Sequence, residues 1–380
     1  MKECWSAWHE LNLTTRGTLS NCCVQHLDVE INWNEIDDLD EWFKNFGVFQ
    51  EIRKSLSAGI EVNECESCWV QEKTNIVSRR QYKHERFTGH NEITIKKLDL
   101  RISNMCNLQC KMCVPNNSDQ IMKLGIELHN KGITNLIHQH DKTYYKQTNA
   151  KKILDLALNL PNLEMITFAG GEPFIMPEVE EFLENMVAHN KTHVKIEFIT
   201  NCTTMKSRVI NILKKFEDVC ISCSIDGIEE QFEYQRYPAK WNVVAKNFQK
   251  IYDAGFHTVI TPCISLLNLT NFHKFVDWAN QYPKARVIYN EVDFPTYLDF
   301  RFVPLEERQS LIQHNSKLIN GDKNWHMFFI ELIHQYKQPS IKDIRLLKEH
   351  SEKVWNYKCN IKFLDAYPWA KKMFEELKNE

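Results

Sequence analysis

Residues 98–113 read LDLRISNMCNLQCKMC. The short apolar run at the start predicts a strand over Leu98–Ser103. Directly after it stand Cys106, Cys110 and Cys113, at spacings of four and three. Three thiolates packed this closely can wrap one soft metal centre. A structural zinc site takes four ligands, and no fourth cysteine or histidine lies nearby in sequence. An iron–sulfur cluster held by three cysteines leaves one iron open for a substrate or cofactor. A zinc loop closed by a distant fourth ligand has the same local spacing.

Outward from this stretch, short apolar runs alternate with amphipathic helical ones. Further strands are expected over Glu164–Ala169, Val194–Thr200, Val219–Ile225, His257–Ile264 and Arg286–Glu291. Helices are expected over Pro177–His189, Lys206–Phe216, Trp241–Ala254 and Thr270–Gln281. The strands recur at the ~30-residue interval of βα units. The expected fold class is therefore α/β, a parallel sheet or barrel. The first interval is longer and leaves room for an insertion at roughly 114–150. After Pro304 the chain reads mostly helical. The expected organisation is a cysteine-rich block at 1–75, a linker at 76–96, a barrel core at 97–303 and a helical extension at 304–380. In the first block Leu39–Ala58 reads as helix, capped by Asp38 or Asp40.

The Cys-x3-Cys-x2-Cys spacing resembles the signature of the radical S-adenosylmethionine (SAM) enzymes. That resemblance implies a partial (β/α)6 barrel of the TIM type and a 4Fe–4S cluster on Cys106, Cys110 and Cys113. It also implies SAM chelating the open iron, reductive cleavage of SAM to a 5′-deoxyadenosyl radical, and hydrogen abstraction from a substrate. An electron donor such as flavodoxin or ferredoxin is implied with it. Met112 sits where the family places a bulky apolar residue beside adenine. The segment Gly170-Gly171-Glu172-Pro173 resembles the family's Gly-Gly-Glu-Pro, which binds the SAM amino group. Thr200-Asn201 resembles the start of its Thr-Asn-Gly, with Cys202 in place of the glycine. Ser224-Ile225-Asp226-Gly227 is similar to its Ser-Leu-Asp-Gly. Arg236 stands where related enzymes carry a basic group for the SAM carboxylate. All of these follow an expected strand, and ligand sites of α/β barrels gather at the C-terminal ends of strands.

The amino-terminal cysteines form a second set. Cys4, twelve residues, Gly17, four residues, Cys22, a long gap and Cys65-x2-Cys68 resemble the auxiliary-cluster modules called SPASM and twitch domains. The resemblance implies one further 4Fe–4S cluster on Cys4, Cys22, Cys65 and Cys68, with Cys23 left for packing. A four-cysteine zinc site fits this spacing nearly as well. Cys202, Cys220, Cys223, Cys263 and Cys359 have no cluster spacing and are expected as buried core thiols. His138 and His140 are expected on a solvated loop.

Composition narrows the function classes. The chain has 47 basic and 50 acidic residues and a net charge of −3, which weighs against nucleic-acid binding by bulk charge. Glycine is scarce, 11 residues of 380 against a usual ~7%, so the adjacent pair Gly170-Gly171 carries information. No apolar run approaches the ~20 residues of a membrane span, and MKECWSAWHE lacks the apolar core of a signal peptide. A cytoplasmic setting is expected, where clustered cysteines read as metal ligands before disulfides. Rival readings are a zinc-binding nucleic-acid module and an electron carrier that never cleaves SAM. The substrate, a peptide, a protein side chain or a small metabolite, is not legible. The acidic helix at 178–184 and the basic stretch at 79–86 are each expected as solvated faces, with peptide binding as the alternative.

Overall fold

The computed structural model describes residues 4–27, 29–87, 92–134, 136–137, 150–292, 294–308, 311, 334–357 and 359–378. His138 and His140 lie outside them. The chain divides into two compact units. The first comprises 1–105, 142–199 and 206–220, the second 106–141, 200–205 and 221–380.

The strands are β1 (Glu10–Leu13), β2 (Thr18–Ser20), β3 (Val29–Glu30), β4 (Lys97–Leu100), β5 (Met165–Phe168), β6 (Lys195–Thr200), β7 (Val219–Cys223), β8 (His257–Ile260), β9 (Cys263–Ile264), β10 (Arg286–Val287) and β11 (Asn290–Glu291). In the first unit they run in the order β6-β5-β4-β1-β2-β3. The pairs β1–β4, β4–β5 and β5–β6 are parallel, while β1–β2 and β2–β3 are antiparallel. Strand β4 is wedged between β5 and β1, with Leu98 and Leu100 buried on one face and Asp99 on the other, as parallel strands covered on both faces require. In the second unit β8 pairs parallel with β10, and β9 with β11. The strands expected over His257–Ile264 and Arg286–Glu291 are thus each broken into two short ones.

Helices Pro177–Ala188, Ser207–Leu213, Trp241–Asp253 and Phe272–Ala279 fall where periodicity places them. The fold is α/β with a mostly parallel sheet, as a partial TIM-type barrel requires. The single helix expected over Leu39–Ala58 is two, Leu39–Asn45 and Gly47–Ser57, because Phe46 is extended (φ −64°, ψ 115°). Asp38 caps the first through the amide of Glu41.

Among the elements that lie beyond the sequence reading, two bear on the charges of the first unit. Strand β1 joins the first block to the parallel sheet, with Glu10 opposite Lys97 and Leu13 opposite Leu100. Within the stretch expected as a linker, Arg79–Arg86 is a helix with a Ser78–Gln81 capping box. Its basic residues are not a free solvated face. Lys83 and Arg79 pair with the fully buried Glu10, and Arg80 pairs with Glu72. On the acidic helix Glu180 pairs with Lys206 and Arg208, and Glu184 with Arg208, at the surface, while Glu178 and Glu181 are exposed, so that face is solvated as expected. Only the basic stretch is drawn into buried pairs inside the first unit.

Among the described residues no helix is long and apolar enough to cross a membrane. None of the thirteen cysteines forms a disulfide.

Candidate functional site

The loop that follows β4 is fixed from several sides before any ligand is considered. In the second unit the amide of Cys106 donates to Asp119 Oδ1 (2.9 Å), and Ser118 Oγ donates to the carbonyl of Leu108 (2.7 Å). Ser118 is also the N-cap of helix Asp119–Asn130, where it accepts from the amide of Ile121. The amides of Gln109 and Lys111 donate to the carbonyls of Tyr237 (2.6 Å) and Gln235 (2.8 Å). Backbone donors and acceptors are thereby spent on the frame, and the three thiols stand together. Burial raises the pKa of Cys110, and Cys113 and Cys106 raise it further. Cys113 is pushed up to about 12, first by burial and then by Cys106. A metal that binds the thiolate must overcome this, so binding releases protons.

Donors point at the sulfurs. Arg236 Nη1 donates to Cys110 Sγ (4.0 Å), and Asn201 Nδ2 donates to Cys106 Sγ (4.0 Å) and Asn107 Oδ1 (3.0 Å). N–H···S contacts of this kind stabilise negative charge on ligating thiolates and tune iron–sulfur potentials. Arg236 is itself held in a buried two-pronged pair with Asp226, at 2.6 and 3.1 Å. Burial lowers its pKa, but Asp226 and then Cys110 outweigh that, so it is raised on balance and the guanidinium stays charged. Asp226 Oδ1 also accepts from the amide of Cys263 (2.8 Å). Cys263 is therefore not a plain core thiol. It is half-buried at the start of β9, in the electrostatic field of Asp226, Arg236 and Cys110. Cys220 is half-buried as well, whereas Cys202, Cys223 and Cys359 are buried as expected.

Thr200 Oγ1 accepts from the amide of Cys202 (3.0 Å), and its carbonyl accepts from the amide of Ser224 (2.8 Å). Cys202 adopts φ +59°, the left-handed conformation that glycine takes without strain. Its thiol is fully buried. Met112 is half-buried.

In the first unit Gly170 and Gly171 have a local task. The amide of Gly171 donates to the carbonyl of Ser103 (3.0 Å) and that of Glu172 to the carbonyl of Met105 (2.8 Å). A Cβ on Gly171 would lie 1.9 Å from Met105 O, and one on Gly170 2.8 Å from Ser103 O. Glycine is required here for backbone to pack on backbone, just ahead of Cys106. Glu172 is fully buried, and its Oε1 accepts from the amide of Phe174 at the start of the turn Pro173–Ile175.

The second cysteine set also converges. Cys4, Cys22, Cys65 and Cys68 line one cavity of the first unit, together with Gln25 and Arg79. Burial raises the pKa values of Cys4, Cys22 and Cys65, the last to about 12. Cys4 raises those of Cys22 and Cys65 further, and Cys68 adds to the second. Cys23 is exposed and outside the cavity. Gln25 Nε2 donates to Cys65 Sγ (3.8 Å). Arg79 Nε and both amide atoms of Asn21 are buried without a partner. Such orphaned polar groups are what a missing polar or charged group leaves behind. Among the described residues no three His, Cys, Asp or Glu side chains converge on a single-ion position.

Sequence reasoning did not find Asp119, Gln235 or Asn107. The Ser118-Asp119 pair ahead of an apolar run was a legible helix-start signal. Gln235 and Tyr237 act through backbone carbonyls and leave no signal.

The sequence model of the Radical SAM superfamily matches residues 100–279, which contain Cys106, Cys110, Cys113 and the strand-end residues through Arg236. An uncharacterized protein of Methanocaldococcus jannaschii is 29% identical over 137 residues, 36% of this chain and 40% of that one. The mycofactocin maturase MftC of Mycobacterium tuberculosis is 22% identical over 187 residues, 49% of this chain and 42% of that one. The chain thus spans less than half the length of these relatives. The solved structure of native anSMEcpe with bound AdoMet is 14% identical and covers 59% of this chain and 63% of that one, with a TM-score of 0.40. The chain carries a radical SAM superfamily domain over residues 100–279.

Proposed function

We propose that this protein is a radical SAM enzyme with two iron–sulfur sites. Cys106, Cys110 and Cys113 hold the first 4Fe–4S cluster and leave one iron for SAM. A cluster held there would supply the reducing electron for cleavage of SAM and hydrogen abstraction chemistry. The observation that carries this reading is the set of three electrostatically coupled thiols, Cys106 and Cys110 buried and Cys113 half-buried, faced by Arg236 and Asn201. Those donors lower the energy of the thiolate form. The Asp226–Arg236 pair fixes the guanidinium, and Asn107 fixes the amide of Asn201.

SAM contacts are assigned to Met112, Gly170, Gly171, Glu172, Pro173, Thr200, Asn201, Ser224, Asp226 and Arg236, on the family resemblance. Cys4, Cys22, Cys65 and Cys68 hold the auxiliary cluster, supported by their shared cavity and the orphaned Nε of Arg79, which lines it. Zinc is the competing occupant of that site.

The deciding experiment is anaerobic reconstitution followed by SAM cleavage under dithionite. Two clusters predict about eight irons and eight sulfides per chain. Replacing Cys106, Cys110 and Cys113 with alanine should abolish 5′-deoxyadenosine formation. Undiminished cleavage by that variant would refute the assignment, and stoichiometric zinc with four irons would remove the auxiliary cluster.

A further inference from the structure

Beside the cysteine loop, within the second unit, lies a cavity of about 360 Å³. That is within the ~300–1,000 Å³ of small-molecule pockets. Cys110 and Cys113 border it but Cys106 does not, so it lies alongside the loop and is not the space the three thiols share. Tyr237, Tyr297, Trp355 and Tyr357 give it aromatic walls, and Ile121 and Leu124 an aliphatic side. Much of the wall comes from the carboxy-terminal stretch, where His350 stacks on Tyr297 with centroids 4.5 Å apart.

One lining residue does not suit an apolar cavity. Lys111 is only 8% exposed. Its Nζ donates to the carbonyl of Trp355 (3.2 Å) and lies 5.2 and 5.7 Å from the ring centroids of Tyr234 and Tyr237. An ammonium has three protons to donate, and among the described residues no carboxylate pairs with this one. Its titratable neighbours are Tyr234 and Tyr237, with the thiols of Cys359 and Cys110 interacting through their charge. A buried charge without a counter-ion is costly and persists where something else satisfies it.

We infer that the cavity binds an amphipathic carboxylate, its acid group on Lys111 and its apolar body among the aromatic walls. As a ligand site this stands on the cavity and the ammonium alone; as the substrate site it rests on the function proposed above. Aromatic faces add to this, since they tolerate both a cation and an apolar ring.

The test uses reconstituted protein, with hydrocinnamate and its neutral amide as probes, titrated calorimetrically. Hydrocinnamate should bind at least tenfold more tightly than the amide. In Lys111→Met the amide should bind as before and the preference should vanish. Ligand-free Lys111→Met should melt at or above the temperature of the parent, because it removes an unpaired buried charge. Equal affinities in the parent, an undiminished preference in Lys111→Met, or a lower melting temperature for that variant would each overturn the inference. Selective carboxylate binding without SAM cleavage would keep the site and refute the reaction; cleavage without selective binding would do the reverse.

Discussion

Replacing Gly171 with alanine tests whether the glycine pair serves packing ahead of the cysteine loop. The new Cβ would fall 1.9 Å from Met105 O, 2.5 Å from Met105 C and 2.8 Å from Asn104 C. Real Cβ atoms keep at least 3.0 Å, so the two backbones must part by about 1.1 Å. They are joined by Gly171 N–Ser103 O at 3.0 Å and Glu172 N–Met105 O at 2.8 Å. A parting of that size takes both bonds beyond hydrogen-bond range, at about 1 kcal/mol each. Forced overpacking adds roughly 1–3 kcal/mol. The expected loss is about 3–5 kcal/mol, a large part of the ~5–15 kcal/mol that holds a typical domain. Urea unfolding of metal-free protein, followed by circular dichroism, measures it. Gly47→Ala is the control, since a Cβ there meets nothing within 4 Å and alanine favours the helix by up to ~1 kcal/mol. Hydrogen exchange at the Glu172 amide should accelerate in Gly171→Ala alone. A loss below ~1 kcal/mol, small beside that overpacking cost, would refute the steric argument and return the glycine pair to a purely ligand-facing role.

Glu10 should make the first unit acid-sensitive. Burial raises its pKa, but Lys83, Arg79 and Lys97 outweigh that and bring it down from 4.5 to about 2. Since the folded value is the depressed one, the stabilisation is complete above the unfolded value near 4.5 and is lost as pH falls through about 2. It is on the order of 3 kcal/mol, and denaturant titrations of Glu10→Gln should lack this slope. Arg236→Met should cost ~3–5 kcal/mol by stranding Asp226 in the interior; adding Asp226→Asn should recover part of it, and a purely additive double variant would deny the coupling. Cys22→Ser should lower metal content at the amino-terminal site while Cys23→Ser leaves it unchanged, as measured by elemental analysis of reconstituted protein. Ser118→Ala should cost about 1–2 kcal/mol through the lost helix cap and its bond to Leu108, read as a lower unfolding midpoint.

The sequence by itself determined the parts that repeat or cluster locally. The alternation of apolar runs and amphipathic helices placed β4 through β7 and the helices that follow β5 and β6, because burial periodicity is written along the chain. The spacing of Cys106, Cys110 and Cys113, and of Gly170-Gly171-Glu172-Pro173, is likewise local, and it was enough to name the superfamily. Tertiary structure decided what depends on distant partners. Strand β1 reads as nothing more than ELNL until it lies beside β4. The basic stretch at 79–86 reads as a linker until Glu10, nearly seventy residues upstream of Arg79, takes its charges. Cys263 falls beside Asp226 and Arg236 only because β9 starts there. Lys111 looks like any lysine between two cysteines until the carboxy-terminal stretch buries it. Charge pairs and cavity walls have no period in sequence; they exist only once chain closure brings their partners together.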